Sequence, residues 1–487
     1  MTTENGFRVV VIGAGMAGIL ATIRLKQAGI DDVTVYEKVD APGGTWRENT
    51  YPGIACDVPA YLYSYSFAPN PEWSHAFAPG AEINEYLARV ATEHDVDRHV
   101  RYGTAVTRLA WREGQCCWDV TLADGSTDRA QVVIAATGVL HHPSMPAIEG
   151  LGTFAGTCFH SARWDHSAQV EGARVGVVGT GSTAIQIVSA LSEVVDELHL
   201  FQRTPQWIMP ITNPEVAEEQ KAHFREHPEK LSKIRAEISA TFTGRLANLV
   251  IDAESPEAAA VQEMCRENLE SSVSDPELRA KLTPDYRAAC KRLLLSEDFY
   301  EAVQRPSVRL VTEGIGGVEP AGVRTVDGTM HELDVLVLAT GFRVDRFVRP
   351  IEVVGRGGVA LDDLWAQRPS AYLAVTVPDM PNLFMLNGPN GPVGNFSLID
   401  VAEMQMGYVM GLVERIARGE LAEASVSRAA AERFEADRVE ATKRTIWVTG
   451  CNSWYLDDRG IPAAWPWTFS RFAAEMAAPR LDDFDLA

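Results

Sequence analysis

Two glycine-rich turns in the sequence have the residue types and the spacing that bind a dinucleotide. In the first, Gly13, Gly15 and Gly18 follow the apolar run Arg8–Ile12. The first glycine permits a tight turn, the second lets backbone N–H groups approach a pyrophosphate, and the third allows close packing of helix on strand. A helix that begins at this turn adds partial positive charge for the phosphates. We therefore predict a pyrophosphate site here.

The residue at the end of the next strand indicates which nucleotide the first turn prefers. Glu37 ends the apolar run that follows the first turn. Its carboxylate can accept hydrogen bonds from a ribose diol, and its charge would repel a 2′-phosphate. The first turn is therefore predicted to bind FAD or NAD rather than NADP.

The second turn has the opposite charge pattern. It contains Gly179 and Gly181, with Ala184 at the third position, and Arg203 and Thr204 follow its second strand. A guanidinium and a hydroxyl are suited to the 2′-phosphate of NADP. Two turns with opposite preferences predict electron flow from NADPH to a flavin.

The elements around these turns predict the fold class. Each turn lies between an apolar strand and a helical pattern, which indicates an α/β fold with two Rossmann-like dinucleotide-binding domains. Residues 213–289 are charged and rich in Ala and Glu at helical period, so they predict a helical insertion. Covering a substrate cavity and a purely structural role are both open for it. The predicted boundaries are 1–150 and 336–487 for the FAD-binding domain, and 151–212 and 290–335 for the NADP-binding domain.

Composition limits the partners. The chain has 66 acidic and 44 basic residues, a formal charge of -22. An acidic surface repels phosphate backbones, so we expect no nucleic-acid partner. The first residues lack the pattern of a signal peptide, and no run of about 18 apolar residues predicts a membrane span. We expect a cytoplasmic enzyme without a membrane partner.

The number and spacing of the cysteines also favour a cytoplasmic setting. Seven cysteines are too few and too scattered to predict a disulfide framework, and no C-x-x-C pair or zinc-like Cys/His spacing occurs. We expect reduced thiols and no metal site.

The segment between the two predicted domains carries a family resemblance. It contains Phe154, Gly156, His160, Trp164 and Asp165 in the frame F-x-G-x-x-x-H-x-x-x-W-[PD]. This frame resembles the fingerprint of type I Baeyer–Villiger monooxygenases, which are class B flavoprotein monooxygenases. The resemblance extends over almost the whole chain. It implies that FAD binds the first turn and that one oxygen atom of O2 enters a ketone through a C4a-peroxyflavin, giving an ester or lactone. It also implies that His160 couples the domains.

Further cofactor contacts follow from the same resemblance. Gly44, Thr45 and Trp46 come shortly after the first nucleotide unit, where small residues let a flavin pass close to the backbone. Lys291 matches a lysine that helps to bind the NADP 2′-phosphate. Trp454 matches a tryptophan that lines the active site near the nicotinamide nucleotide.

Two catalytic residues are implied as well. Arg292 matches the catalytic arginine of the family, and Asp57 matches an active-site aspartate that pairs with it and contacts the cofactor region. The residues after Trp46 depart from the cyclohexanone-type pattern, so a preference for cyclic ketones is not implied.

Other classes of protein compete with this interpretation. Flavin-containing N- or S-oxygenases share the fingerprint histidine, but they typically continue with an aromatic and a basic residue where this chain has Trp164 and Asp165. A dithiol reductase needs a redox-active cysteine pair near the flavin, which the missing C-x-x-C argues against. A non-catalytic nucleotide-binding protein would not oxidise NADPH in air.

Overall fold

The computed structural model describes residues 6–246, 248–394 and 396–487, apart from the side chains of residues 245 and 246. Four of the five strands in its first sheet are short apolar runs that are buried, as expected for parallel strands covered on both faces. The five parallel strands lie in the order Leu383–Met385, Val132–Ala135, Val9–Ile12, Val33–Tyr36 and Val100–Arg101.

A second parallel sheet repeats this arrangement. Its five strands lie in the order Val308–Val311, Glu197–Phe201, Arg174–Val178, Val335–Leu338 and Thr157–His160. Helix Met16–Gln27 follows strand Val9–Ile12 of the first sheet, and helix Ser182–Leu191 follows strand Arg174–Val178 of the second. The predicted α/β class with two Rossmann-like units is confirmed, while the exact domain boundaries stay a prediction.

Smaller sheets complete the two units. A four-stranded sheet has the order Glu352–Val354, Val106–Arg112, Cys117–Leu122 and Thr127–Ala130. A three-stranded antiparallel sheet contains Ile315–Glu319, Gly322–Thr325 and Met330–Glu332. Two strand pairs remain, parallel Ile208–Pro210 with Leu294–Ser296 and antiparallel Ala424–Val426 with Phe484–Leu486.

Helices dominate residues 213–289, as the composition predicts. Three of them begin at a proline, which suits a first helical position because the missing N–H would be unpaired there anyway. These helices are Pro228–Thr241, Pro256–Ser272 and Pro276–Leu282, and Glu218–Glu226 precedes them. The remaining α-helices are Thr45–Glu48, Gly80–Glu93, Phe299–Ala302, Leu361–Leu364, Leu398–Ala417, Arg428–Thr442 and Phe469–Glu475.

The helical segment packs on both units. Phe224 and Leu231 are buried in the core around the first sheet, whereas Cys265 and Leu269 are buried in the core around the second. The segment leaves the second unit after Ile208–Pro210 and returns at the neighbouring parallel strand Leu294–Ser296. Its return therefore places the residues just before Leu294 at the junction of the two units.

The structure corrects the expectation of reduced thiols for one pair. Cys290 and Cys451 form a disulfide, and the other five cysteines are free. The two residues are separated by 161 positions, so only the folded chain brings them together. The cytoplasmic setting stays a prediction.

No helix of the described chain is both long and apolar enough to cross a bilayer. Within residues 6–246, 248–394 and 396–487, no group of three or more His, Cys, Asp or Glu side chains could hold a metal ion.

Candidate active site

The first glycine turn has no room for side chains. Gly13 has φ +101°, and a Cβ atom there would lie 2.7 Å from the carbonyl oxygen of Ala136. A Cβ on Gly18 would lie 1.8 Å from the carbonyl oxygen of Gly13, so helix and strand can pack only with glycine at both positions. Glu37 is buried at the end of its strand and accepts a hydrogen bond of 2.7 Å from the Ala14 N–H. The turn and its acid thus form one rigid unit.

The segment Gly44–Trp46 lies against this turn. A Cβ on Gly44, which has φ +57°, would approach the Cα of Gly15 to 3.0 Å. Thr45 begins a short helix, and the Trp46 indole donates a hydrogen bond of 3.1 Å to the Tyr63 hydroxyl. Side chains on the facing glycines would fill the groove, so this surface suits the close passage of a flavin dinucleotide.

The second turn is shaped in the same way. Gly179 has φ +120°, and a Cβ there would lie 2.4 Å from the Ala339 carbonyl oxygen, whereas Gly181 faces open space. The Thr180 hydroxyl donates a hydrogen bond of 2.8 Å to the Thr204 carbonyl, which ties the turn to the residues after the second strand.

Two cations gather beside the second turn. Lys291 lies 4.7 Å over the Tyr286 ring, and its pKa is lowered first by burial and then by repulsion from Arg203. Neither cation has a carboxylate within ion-pair distance among the residues that the structure describes. Two neighbouring cations without such a partner form a site for an anion, and the 2′-phosphate of NADP is the anion that their position suits.

Both turns line one cavity of about 1660 Å³. Ordinary small-molecule pockets measure about 300–1,000 Å³, so this cavity has room for two dinucleotides. The predicted site residues that line it are Gly13, Gly15, Glu37, Gly44, Thr45, Trp46, Asp57, Gly179, Gly181, Arg203, Thr204, Lys291, Arg292 and Trp454.

Arg292 and Asp57 both line this cavity and form an ion pair. Burial lowers the pKa of Arg292, but the Asp57 charge and the interaction with Tyr455 together more than reverse this effect and leave the pKa raised. About 25% of the Arg292 side chain is exposed. The guanidinium is therefore a permanent cation that is held in place and still accessible.

A second, small cavity of about 60 Å³ opens on the other side of this pair. Asp57 and Arg292 line it together with Met209, Phe242, Leu249, Val250, Trp447 and Tyr455. Several of these apolar residues belong to the helical segment or its flanks. The segment thus forms part of the wall of the site, a role that the sequence left open.

Trp454 lies at the rim and Tyr455 lies inside. The Trp454 side chain is 43% exposed and borders the large cavity, while Tyr455 is 4% exposed. Their ring centroids are 4.1 Å apart. Sequence reasoning identified the tryptophan and missed the tyrosine, whose only local signal is its position next to Trp454.

The fingerprint residues lie outside the linings of both cavities. A Cβ on Gly156 would lie 2.3 Å from the Asp334 carbonyl oxygen and 2.7 Å from the Phe154 ring. The Trp164 ring packs edge-on against Phe159, and Asp165 accepts hydrogen bonds from Ser167. These contacts build the linker and do not reach the reacting groups.

His160 is buried at the end of strand Thr157–His160. Its Nδ1 accepts a hydrogen bond of 3.1 Å from the Ala162 N–H, and its Nε2 donates one of 3.1 Å to the Gly341 carbonyl. Burial lowers the pKa of His160, so the neutral ring is favoured. Gly341 follows the strand Val335–Leu338, after which the chain continues towards the first sheet.

Comparison with known proteins is consistent with this geometry. Residues 6–216 match the family model described as flavin-binding monooxygenase-like. The chain is 43% identical over 481 residues to an uncharacterised monooxygenase of Mycobacterium tuberculosis, covering 98% of this chain and 96% of that protein. It is 40% identical over 485 residues to a Baeyer–Villiger monooxygenase of Streptomyces coelicolor, covering 98% and 92%.

A solved structure extends the similarity to three dimensions. The crystal structure of OTEMO in complex with FAD and NADP superimposes with a TM-score of 0.89 at 28% identity, covering all of both chains. The predicted cofactors FAD and NADPH are confirmed, and ketone oxygenation is favoured over the N- or S-oxygenase alternative. The chain belongs to the Baeyer–Villiger monooxygenases of the flavin-binding monooxygenase-like family.

Proposed function

We propose that this monooxygenase oxygenates a ketone at the junction of its two cavities, with Arg292 as the catalytic residue and Asp57 as its orienting partner. The observation that carries the proposal is that both side chains line the large cavity and the small apolar one. Bound FAD, reduced by NADPH, supplies the activation of O2. O2 and a ketone are then the small molecules that meet at the guanidinium.

Arg292 has the chemistry for this task. A guanidinium stays cationic at any working pH and presents several N–H donors in one plane. Such donors stabilise the negative charge that develops on oxygen when a carbonyl carbon becomes tetrahedral. The ion pair with Asp57 fixes the direction of the guanidinium before the substrate arrives.

The small cavity indicates how a ketone would lie. Its volume of about 60 Å³ is far below the roughly 300–1,000 Å³ of a pocket for a whole small molecule, so it suits one end of a substrate. Met209, Phe242 and Leu249 provide apolar walls for the substituents of a carbonyl, and Arg292 provides the polar end. A ketone would fit these walls, because its carbonyl oxygen is polar and its carbon substituents are apolar.

The FAD contacts in this proposal come from the first unit. The backbone at Gly13, Gly15 and Gly44 would follow the dinucleotide, and Glu37 would accept hydrogen bonds from the adenosine ribose. Gly18, Thr45 and Trp46 shape the same groove.

The NADPH contacts come from the second unit and the C-terminal loop. The backbone at Gly179 and Gly181 would receive the pyrophosphate. Arg203, Thr204 and Lys291 would hold the 2′-phosphate, and Trp454 would cover the nucleotide from the rim of the cavity. His160 would couple the two units through its hydrogen bond to Gly341.

The proposal is tested by Arg292→Ala with NADPH and a panel of linear, cyclic and aryl ketones, followed by gas chromatography. We expect flavin reduction by NADPH to continue while ester or lactone falls by at least about 100-fold, as for the loss of one oxyanion donor. Arg266→Ala is the control, since among the described residues Arg266 forms ion pairs only with Glu263 and Glu270, on an exposed helix face. Normal ester formation by Arg292→Ala would remove Arg292 from the mechanism.

A further inference from the structure

The Arg292 guanidinium has a second partner besides Asp57. A Cβ atom on Gly394 would lie 1.9 Å from the Tyr455 hydroxyl oxygen and 3.1 Å from Arg292 Nη1, so the hydroxyl and the guanidinium are close neighbours. The interaction with Tyr455 contributes to the raised pKa of Arg292. Tyr455 and Asp57 reach Arg292 from different parts of the chain and line the same small cavity.

The Tyr455 ring cannot move freely. It packs against Trp447 and Trp454, with ring centroids 5.3 and 4.1 Å away. Its backbone N–H donates to the Ser453 hydroxyl at 3.2 Å, and its carbonyl accepts from the Ala463 N–H at 2.7 Å.

The loop that carries Tyr455 is anchored on both sides. Cys451 is joined by the disulfide to Cys290, two residues before Arg292. After the tyrosine, Asp457 forms an ion pair of 2.9 Å with Arg368 and accepts a hydrogen bond of 2.9 Å from the Ile461 N–H. The hydroxyl therefore has a fixed position relative to the segment that contains Arg292.

A phenol is chemically suited to hold a guanidinium that must remain a cation. Burial raises the pKa of Tyr455, and Arg292 offsets only part of that rise, so the hydroxyl stays neutral. A neutral oxygen can accept an N–H from the guanidinium without cancelling its charge, whereas a second carboxylate beside Asp57 would cancel it. A hydrogen bond between the two groups would fix the guanidinium at a second point and leave it the positive charge that the oxygenation step needs.

We propose that Tyr455 is a positioning residue, which orients Arg292 for the oxygenation step through its hydroxyl group. This inference rests on the proposed catalytic role of Arg292. Tyr455 lies on the C-terminal loop, and in this role it acts through the guanidinium and not on the nicotinamide nucleotide.

The test is Tyr455→Phe in the FAD-loaded enzyme, which removes one oxygen atom and keeps the ring. One hydrogen bond to a charged group corresponds to roughly tenfold in rate. We expect ester formation to fall about tenfold and the share of NADPH that ends as hydrogen peroxide to rise, while anaerobic flavin reduction and the KM for NADPH stay within about twofold. Tyr408→Phe is the matched control, because the buried Tyr408 hydroxyl has no hydrogen-bond partner in the part of the chain that the structure describes and Tyr408 lines neither cavity.

A second measurement does not depend on turnover. Phenylglyoxal modifies accessible guanidinium groups, and peptide mass spectrometry reports the labelling rate of Arg292. We expect this rate to rise at least about twofold in Tyr455→Phe and to stay unchanged in Tyr408→Phe. An unchanged labelling rate together with wild-type ester yield would overturn the proposal, and so would equal losses in flavin reduction and in ester formation.

A double-mutant cycle separates this inference from the role of Arg292 itself. In an Arg292→Lys background, Tyr455→Phe should change ester formation by less than about twofold, because a residue that acts through the guanidinium has nothing left to orient. If the rate losses of Tyr455→Phe and Arg292→Lys multiply in the double variant, the inference is contradicted. Failure of the proposed function is recognised independently, since Arg292→Ala would then still form ester.

Discussion

Arg292 and the pair Arg203–Lys291 are cationic groups that line the same cavity and are held in opposite ways. Arg292 forms an ion pair with Asp57 and has the Tyr455 hydroxyl beside it. Arg203 and Lys291 repel each other and have no carboxylate within ion-pair distance in the described part of the chain. Lys291 and Arg292 are even neighbours in sequence. Under the proposed roles, the difference indicates that the catalytic cation is held in one direction, whereas the phosphate-binding cations keep uncompensated charge.

Breaking the ion pair should have the largest effect. Asp57→Asn keeps the shape of the side chain but removes its charge, and the loss of a charge-assisted hydrogen bond in this partly buried pair costs about 1.5–3 kcal/mol. We expect ester formation to fall about 100-fold, with the preference for NADPH over NADH unchanged. Initial rates with both nucleotides measure this, and a changed nucleotide preference would show that Asp57 serves the phosphate site.

Removing an unpaired cation should have a smaller and different effect. Arg203→Ala loses charge-assisted hydrogen bonds of about 1.5–3 kcal/mol, so we expect the KM for NADPH to rise about 30-fold and that for NADH to change less than twofold. Lys281→Ala is the control, because Lys281 is paired with Glu277 and lines neither cavity. Equal increases in the KM values for NADPH and NADH would show that the 2′-phosphate binds at another site.

Glu37 places a negative charge at the first turn, and removing this charge should have a milder effect. Glu37→Gln keeps one oxygen for the Ala14 N–H but loses the negative charge that favours the ribose diol. We expect FAD to bind about fivefold more weakly in apoprotein titrations followed by flavin fluorescence. Unchanged affinity would mean that the backbone of the turn alone selects FAD.

The disulfide should affect stability more than chemistry. Cys451→Ser frees the loop of Tyr455 from the segment of Arg292, and removing a native disulfide typically costs about 2–5 kcal/mol. We expect the melting temperature to fall by at least about 3 °C, with ester formation reduced less than about threefold. Peptide mapping without reductant should recover Cys290 and Cys451 as a linked pair, and free thiols at both positions would contradict the assignment.

The sequence predicted the parts of the site that are encoded locally. The glycine turns, Glu37 and Arg203 follow from spacing within single strand–turn–helix units, because a tight turn and a close backbone approach require glycine. The positions of Asp57, Lys291 and Arg292 were inferred from the family resemblance, and the structure places all three in the lining of one cavity. Their roles remain proposals.

Contacts between distant segments could not be predicted in the same way. Asp57 and Arg292 are 235 positions apart, and Cys290 and Cys451 are 161 apart. Their meeting depends on how the helical segment and the C-terminal loop pack, which no local pattern records. Tyr455 was missed for the same reason, since its partner lies on a different element. The disulfide also shows that counting cysteines says little about which of them meet.

The most direct test of the central comparison is how consumed NADPH divides between ester and hydrogen peroxide. Both products are measured for Arg292→Ala and Arg203→Ala at saturating NADPH with the same ketone. We predict that Arg292→Ala converts nearly all of its NADPH to peroxide, while Arg203→Ala gives the ester-to-peroxide ratio of the unmodified enzyme. The same ratio in both variants would contradict the assignment of catalysis to the paired cation and of binding to the unpaired ones.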